Sequence, residues 1–334
     1  MAPTNDPLST TAQPMAALPV ATPAPAARPQ PGTRRRPAWR PVAPEATPAG
    51  GEAQPAAKDY RSDKEPIWCP GCGDYGVLSA VTEVFAQREM DPDSTVLVSG
   101  IGCSSRFPTF IKGFGFHSVH GRALPVATGV AMANPRLDVV VVGGDGDGLS
   151  IGGGHFTHAC RRNPNMTYLM LDNEIYGLTK GQVSPTTTDL SLAKKALTTP
   201  FGTWEWPLDP VSLALAYQAT FVARAYSARR QELVDIIDRA IEHDGFSFVQ
   251  VISPCASFYN SFRAKAPHVK AIDEGHDTSD RAAATVLAGD PAAVWLGVFY
   301  QDTKPTLRQR FRDLGESAMK GRDHQLGEVF ARYL

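Results

Sequence analysis

Two sets of residues in this chain have the types and spacing to do chemistry. One is Gly143-Gly144-Asp145-Gly146-Asp147-Gly148, which follows a valine run and precedes a stretch of helical period. Its glycines let backbone N–H groups approach a phosphate closely at a helix N-terminus. Two aspartates there would repel a bare diphosphate. A Mg2+ between carboxylate and phosphate removes the conflict, because Mg2+ takes few protein ligands and completes its octahedron with phosphate oxygens and water. Twenty-eight residues beyond Asp145 stands Asn173, in Asp172-Asn173-Glu174-Ile175-Tyr176-Gly177, where an amide oxygen and turn carbonyls could face the same metal. The plain alternative for both segments is a turn with no ligand.

The other set is the cysteines. There are 5, two of them in the C-x-x-C of Cys69 and Cys72, with Cys103, Cys160 and Cys255 scattered beyond. An odd number so spaced fits a metal or redox site better than a secreted disulfide framework. On spacing alone an iron–sulfur cluster, structural zinc and a redox dithiol all remain open.

The elements that must position these residues follow a βαβ texture. Strands are predicted at 95–98, 138–142, 166–171, 220–223 and 246–252, each short and rich in β-branched or aromatic residues. Helices are predicted at 124–133, 152–162, 211–219 and 231–243, and Val77, Ala80, Val81, Val84 and Phe85 make a further helical stripe. That alternation implies an α/β fold, a mainly parallel sheet with helices on both faces. The segments 100–104, 144–147, 172–177 and 253–255 each come directly after a predicted strand. Ligands of open α/β sheets bind beyond the carboxyl ends of the strands, so these four should meet in a single site.

Composition bounds the rest. A chain of 334 residues with 43% hydrophobic and 20% charged residues can bury a sizeable core. A formal net charge of −1 gives no general attraction to nucleic acid or anionic lipid. No run of about eighteen apolar residues occurs, and no basic segment followed by an apolar one opens the chain, so a cytoplasmic, non-membrane protein is expected. Residues 1–57 hold 13 of the 28 prolines and are expected to be a disordered tail, with Arg34, Arg35 and Arg36 solvated inside it. The functional domain is expected over 58–262. The polar stretch 263–334 is expected to be an irregular C-terminal extension that packs on a partner.

The motifs WCPGCGDYG, GIGCSSRFP, GFHSVHGRALPVATG, GGDGDG, DNEIYGLTKGQ and SPC, in that order between about residues 66 and 260, together resemble the β subunit of the 2-oxoacid:ferredoxin oxidoreductases. The resemblance implies a subunit that binds thiamine diphosphate through Mg2+ and carries one [4Fe–4S] cluster. It implies cluster ligands at Cys69, Cys72, Cys103 and Cys255, leaving Cys160 as a small buried side chain. By similarity to the GDG…N signature of thiamine diphosphate enzymes, Mg2+ ligands are implied at Asp145, Asn173 and the backbone carbonyl of Ile175. Thiamine contacts are implied at Ile101, Gly102, Cys103, Ser104, His120, Gly146, Asp147, Gly177 and Leu178, with Asn260 a further candidate. Lys180, otherwise an ordinary solvated lysine, lies in the LTKGQ form that in the family goes with 2-oxoglutarate, whose second carboxylate a cation can pair. Pyruvate has no such group.

The implied activity is oxidative decarboxylation of 2-oxoglutarate with coenzyme A to succinyl-CoA and CO2, with electrons leaving through the cluster to ferredoxin. An α subunit is implied as partner, in an αβ or (αβ)2 assembly, and as the source of the acid that acts beside the aminopyrimidine. Other readings stay in play: the same chemistry on pyruvate or another 2-oxoacid, a non-redox thiamine decarboxylase or carboligase with structural zinc, and a non-enzymatic iron–sulfur protein in which GDGDG is only a turn.

Overall fold

The computed structural model describes residues 55–189, 191 and 203–319. The stretch expected as a tail, with its three arginines, lies outside the described residues except for 55–57, of which Ala57 opens the short 3-10 turn Ala57–Tyr60. Next come α1 (Asp74–Gln87), β1 (Thr95–Ser99), β2 (Phe114–His117), α2 (Ala123–Ala133), β3 (Asp138–Gly144), α3 (Gly153–Arg162) and β4 (Met166–Asp172). The two-residue strands β5 (Ile175–Tyr176) and β6 (Gln182–Val183) form a small separate ribbon. They are followed by α4 (Pro210–Ala216), β7 (Phe221–Tyr226), α5 (Arg230–Glu242), β8 (Phe246–Ile252) and α6 (Phe262–Lys265). The last elements are β9 (Val269–Ala271), α7 (Arg281–Ala288), β10 (Val294–Gln301) and α8 (Leu307–Met319).

The main sheet has 8 strands in the order β2-β1-β3-β4-β8-β7-β10-β9. All neighbours are parallel except β10 against β7. Alternate side chains of the inner strands serve two cores. Val140 and Val142 pack with α1 and α5 on one face, while Val139 and Val141 pack with α2, α3, α4 and α7 on the other. Burial on both faces explains why these strands read as unbroken apolar runs.

Two departures from expectation matter. The exposed edge strand β2 was not anticipated, because Phe-Gly-Phe-His is only four residues long, contains a glycine and has no buried residue. Beyond Phe262 the chain is not irregular over the described residues: β9 and β10 complete the sheet, α7 lies between them in sequence, and β10 carries Gly297 at φ +135 just before a register shift between Val298 and Tyr300. Its polar residues are the outward sides of ordered elements. No helix of the described residues is long and apolar enough to cross a membrane.

Since β1, β3, β4 and β8 are consecutive neighbours, the segments after Ser99, Gly144, Asp172 and Ile252 share one edge of the sheet. That is the placement expected from the sequence.

Candidate functional site

At the end of β3 the chain enters a π-type turn, Asp147–Ile151, closed by Gly152 N–H donating to the Asp147 carbonyl at 3.1 Å. Such insertions often mark functional positions. The glycines here admit neighbours: a Cβ on Gly146 would lie 2.3 Å from the Tyr176 ring, and one on Gly148 would lie 2.2 Å from the Tyr168 hydroxyl. Gly102, at φ +128, has nothing within 4 Å of a Cβ position and faces open space.

Asp145 and Asp172 are both buried, and the Thr186 hydroxyl lies 2.8 Å from Asp145 Oδ2 and 2.8 Å from Asp172 Oδ1. It has one proton and can donate to only one of them at a time. Burial first, and then the Asp172 charge, hold the Asp145 carboxyl well above the ordinary carboxylate range. Asp172 is raised as well, by burial. Two carboxylates this close need a proton or a cation between them. A divalent cation bound to Asp145 answers that need, so the residues present fit Mg2+.

Asn173 folds the next turn by accepting the Ile175 N–H at 3.0 Å. Glu174 follows at φ +58, a conformation that costs a non-glycine residue about 1 kcal/mol. Three consecutive threonines offset that cost. Thr186 reaches the two aspartates, Thr187 donates to the Glu174 carbonyl at 2.6 Å, and Thr188 donates to Glu174 Oε1 at 2.8 Å. Lys265 Nζ, from α6, stands 2.9 Å from Glu174 Oε2. Sequence reasoning missed Thr186, Thr187, Thr188, Glu174 and Lys265; the run of three hydroxyls after the β5–β6 ribbon was the available signal.

Asp147 is directed at protein. Its Oδ1 accepts from Ile101 N at 2.9 Å and Gly121 N at 2.8 Å, and lies 2.5 Å from His120 Nδ1. The carboxylate therefore ties the 101–104 loop to the His120 turn and makes Nδ1 the protonated ring nitrogen. Ile101, Gly102 and Cys103 are half-buried there, and Ser104 is buried with its Oγ facing Gly144.

All 5 cysteines are free thiols. Cys160 is buried in the α3 core, away from the others, as expected. The Cys69–Cys72 turn is held to the segment after β8 by Gly73 N–H donating to the Pro254 carbonyl at 3.2 Å. It is held to the 101–104 loop by Trp68 Nε1, 2.7 Å from the Cys103 carbonyl. A Cβ on Gly177 would stand 3.6 Å from Cys255 Sγ, 3.8 Å from Asn173 Nδ2 and 3.8 Å from Cys103 Sγ. Burial pushes the Cys103 thiol up to about 12, with the Asp74 and Cys255 charges adding to it. Cys72 is raised by burial and then by Asp74, with smaller effects of Cys255 and Cys103. Half-buried thiols such as Cys72 and Cys103, which repel one another in the ionised state, suit a cationic iron–sulfur centre, against which they deprotonate.

The remaining candidates lie on the open side. Leu178 and Lys180 are exposed, Lys180 at φ +77 in a turn closed onto the Gly177 carbonyl at 3.1 Å. Asn260 is exposed beside the buried Tyr259.

Residues 100–251 match the family model described as thiamine pyrophosphate enzyme, C-terminal TPP binding domain. The 2-oxoglutarate oxidoreductase subunit KorB of Mycobacterium tuberculosis is 45% identical over 223 residues, 66% of this chain and 59% of that protein. A 2-oxoacid:ferredoxin oxidoreductase β subunit of Aeropyrum pernix is 46% identical over 202 residues, 60% of this chain and 64% of that protein. This chain therefore spans under two thirds of these two relatives. The 2-oxoacid:ferredoxin oxidoreductase β subunit of Saccharolobus solfataricus is 40% identical over 270 residues, 75% of this chain and 87% of that protein. A solved 2-oxoglutarate:ferredoxin oxidoreductase from Magnetococcus marinus, with 2-oxoglutarate, coenzyme A and succinyl-CoA bound, superposes with a TM-score of 0.78 at 42% identity, covering 83% of this chain and 95% of that one.

Proposed function

Because the chain belongs to the β subunits of the 2-oxoacid:ferredoxin oxidoreductases, we propose that it works with an α subunit in the cytoplasm, decarboxylating 2-oxoglutarate oxidatively to succinyl-CoA and CO2 and passing the electrons to ferredoxin. Gly177 carries this reading: one small residue separates the metal turn, through Asn173, from Cys103 and Cys255. A decarboxylation site and an electron acceptor side by side make an oxidative enzyme.

Thiamine diphosphate supplies carbanion stabilisation, and a [4Fe–4S] cluster takes electrons one at a time. Asp145, Asn173 and the Ile175 carbonyl hold Mg2+, Gly102 gives the cofactor close access to backbone, and Gly146, packed against Tyr176, contributes to the cofactor site through the turn it forms. Asp147 orients His120 and the 101–104 loop toward the cofactor, so the Asp147 side chain positions other groups. Leu178 and Asn260 border the open side. Lys180 pairs with the distal carboxylate of the substrate. The acid beside the aminopyrimidine comes from the α subunit. Cys69, Cys72, Cys103 and Cys255 hold the cluster.

The test is reconstitution under anaerobic conditions with the α subunit, followed by 2-oxoglutarate- and coenzyme A-dependent dye reduction. The expected result is activity in the complex and none in this chain alone. Robust turnover by this chain alone, or a colourless protein with zinc and no acid-labile sulfide, would overturn the proposal.

A further inference from the structure

The hydroxyl between Asp145 and Asp172 is the end of a longer chain of hydrogen bonds. Asp172 Oδ2 accepts from Gln250 Nε2 at 2.7 Å, and Gln250 Oε1 accepts from Arg224 Nε at 2.6 Å. Arg224 Nη2 lies 2.6 Å from Asp209 Oδ2, and Asp209 Oδ1 caps α4 by accepting the Ser212 N–H at 2.5 Å. The chain crosses the carboxyl edge from β4 through β8 and β7 to a helix N-terminus, and Asp172, Gln250 and Arg224 are all buried.

Each link fixes the next. Arg224 offers only donors, so the Gln250 oxygen must face it, and the Gln250 amide N–H must then face Asp172. Asp172 cannot turn away, and its other oxygen is the one that meets Thr186. A fixed Asp172 thereby fixes the hydroxyl that meets Asp145.

Resting on the reading of Asp145 as a Mg2+ ligand, we propose that Thr186 is the positioning residue of the metal site: anchored by the Asp172–Gln250–Arg224–Asp209 chain, its hydroxyl holds the Asp145 carboxylate in the one orientation that presents it to the cation. Thr186 touches no reacting atom in this role. Removing the hydroxyl takes away the one donor that Asp145 shares with Asp172, loosening the Asp145 carboxylate although Ser184 still reaches it, and faces it with a second buried carboxylate. The donor matters and the methyl group does not.

The test uses the metal-depleted αβ complex at saturating thiamine diphosphate, with Mn2+ as the probe and its free-ion paramagnetic resonance signal as the measure of binding. Outer partners of metal ligands typically control affinity by 10–100-fold, so Thr186→Val should raise the Mn2+ Kd at least about tenfold while Thr186→Ser stays within about threefold of the parent. Gln250→Met, one link further out, should weaken binding less than Thr186→Val. If Thr186→Val does not fold, Thr186→Ser and Gln250→Met decide, the first required to bind like the parent and the second to bind more weakly. Parental Mn2+ affinity in Thr186→Val, or in Gln250→Met when it has to stand in, overturns the positioning role. A parent complex that takes up no Mn2+ with thiamine diphosphate instead overturns the reading of Asp145.

Discussion

A Cβ on Gly100 would lie 1.9 Å from Asp147 Oδ2, so the carboxylate fills the room that this glycine leaves. Asp147 cannot yield cheaply, because Ile101 N, Gly121 N and His120 Nδ1 all converge on its Oδ1. Gly100→Ala should therefore break up the 101–104 loop and the His120 turn together. Hydrogen bonds to a charged group contribute about 1.5–3 kcal/mol each, so loss of even one predicts thiamine diphosphate binding weakened at least tenfold in a titration of the complex. Unchanged affinity would show that Asp147 does not organise the cofactor loop.

Single Cys→Ala changes at Cys69, Cys72, Cys103 and Cys255 should each cost iron and acid-labile sulfide, whereas Cys160→Ala should retain both. Cys103 stands in the loop that Asp147 holds and beside Gly177, so its loss should also weaken thiamine diphosphate binding. Metal analysis and a cofactor titration on the same samples separate these effects. Full iron and sulfide in the Cys103 variant would remove it from the ligand set.

Much of this is legible in the sequence. Val139–Val142 spelled a strand buried on both faces, and the four strand-end segments were assigned to one edge from their positions alone. What stayed hidden has physical causes. Phe114 and Phe116 are exposed on β2, so no burial pattern marked the strand. Val294–Gln301 is interrupted by Gly297 and bordered by polar residues, which masked an ordinary sheet strand. Thr186 looked like any turn threonine, because its role depends on Asp145, 41 residues away, and on Asp172. The resemblance implies a cofactor contact at Asp147, but no sequence pattern shows that its side chain accepts from Ile101 and Gly121 and meets His120, because those partners lie 26 to 46 residues away.

Lys180→Met should raise the KM for 2-oxoglutarate about tenfold or more, since it removes the cation proposed to meet the distal carboxylate, and should leave kcat with pyruvate little changed. Steady-state kinetics on both substrates decide the matter. An equal loss on pyruvate would place Lys180 in a structural role.

Lys265 and Glu174 form a largely buried pair, with side-chain exposures of 18% and 6%. Lys265→Met leaves the Glu174 carboxylate buried without its cation, and breaking such a pair from one side costs about 3 kcal/mol or more. Denaturant unfolding should show that loss, and Lys265→Met with Glu174→Gln together should recover most of it. Additive losses in the double variant would rule out the pairing.

The four cysteines proposed to hold the cluster come from stretches as far apart as Cys69 and Cys255, brought together where the Cys69–Cys72 turn meets the 101–104 loop and the segment beyond β8. A growing chain has no complete ligand set until residue 255 has left the ribosome and β8 has found β4. Iron delivered earlier meets only three of the four proposed ligand thiols. On the proposed ligand set, cluster insertion thus follows the pairing of β8 with β4, and a brown colour would report that this pairing had formed.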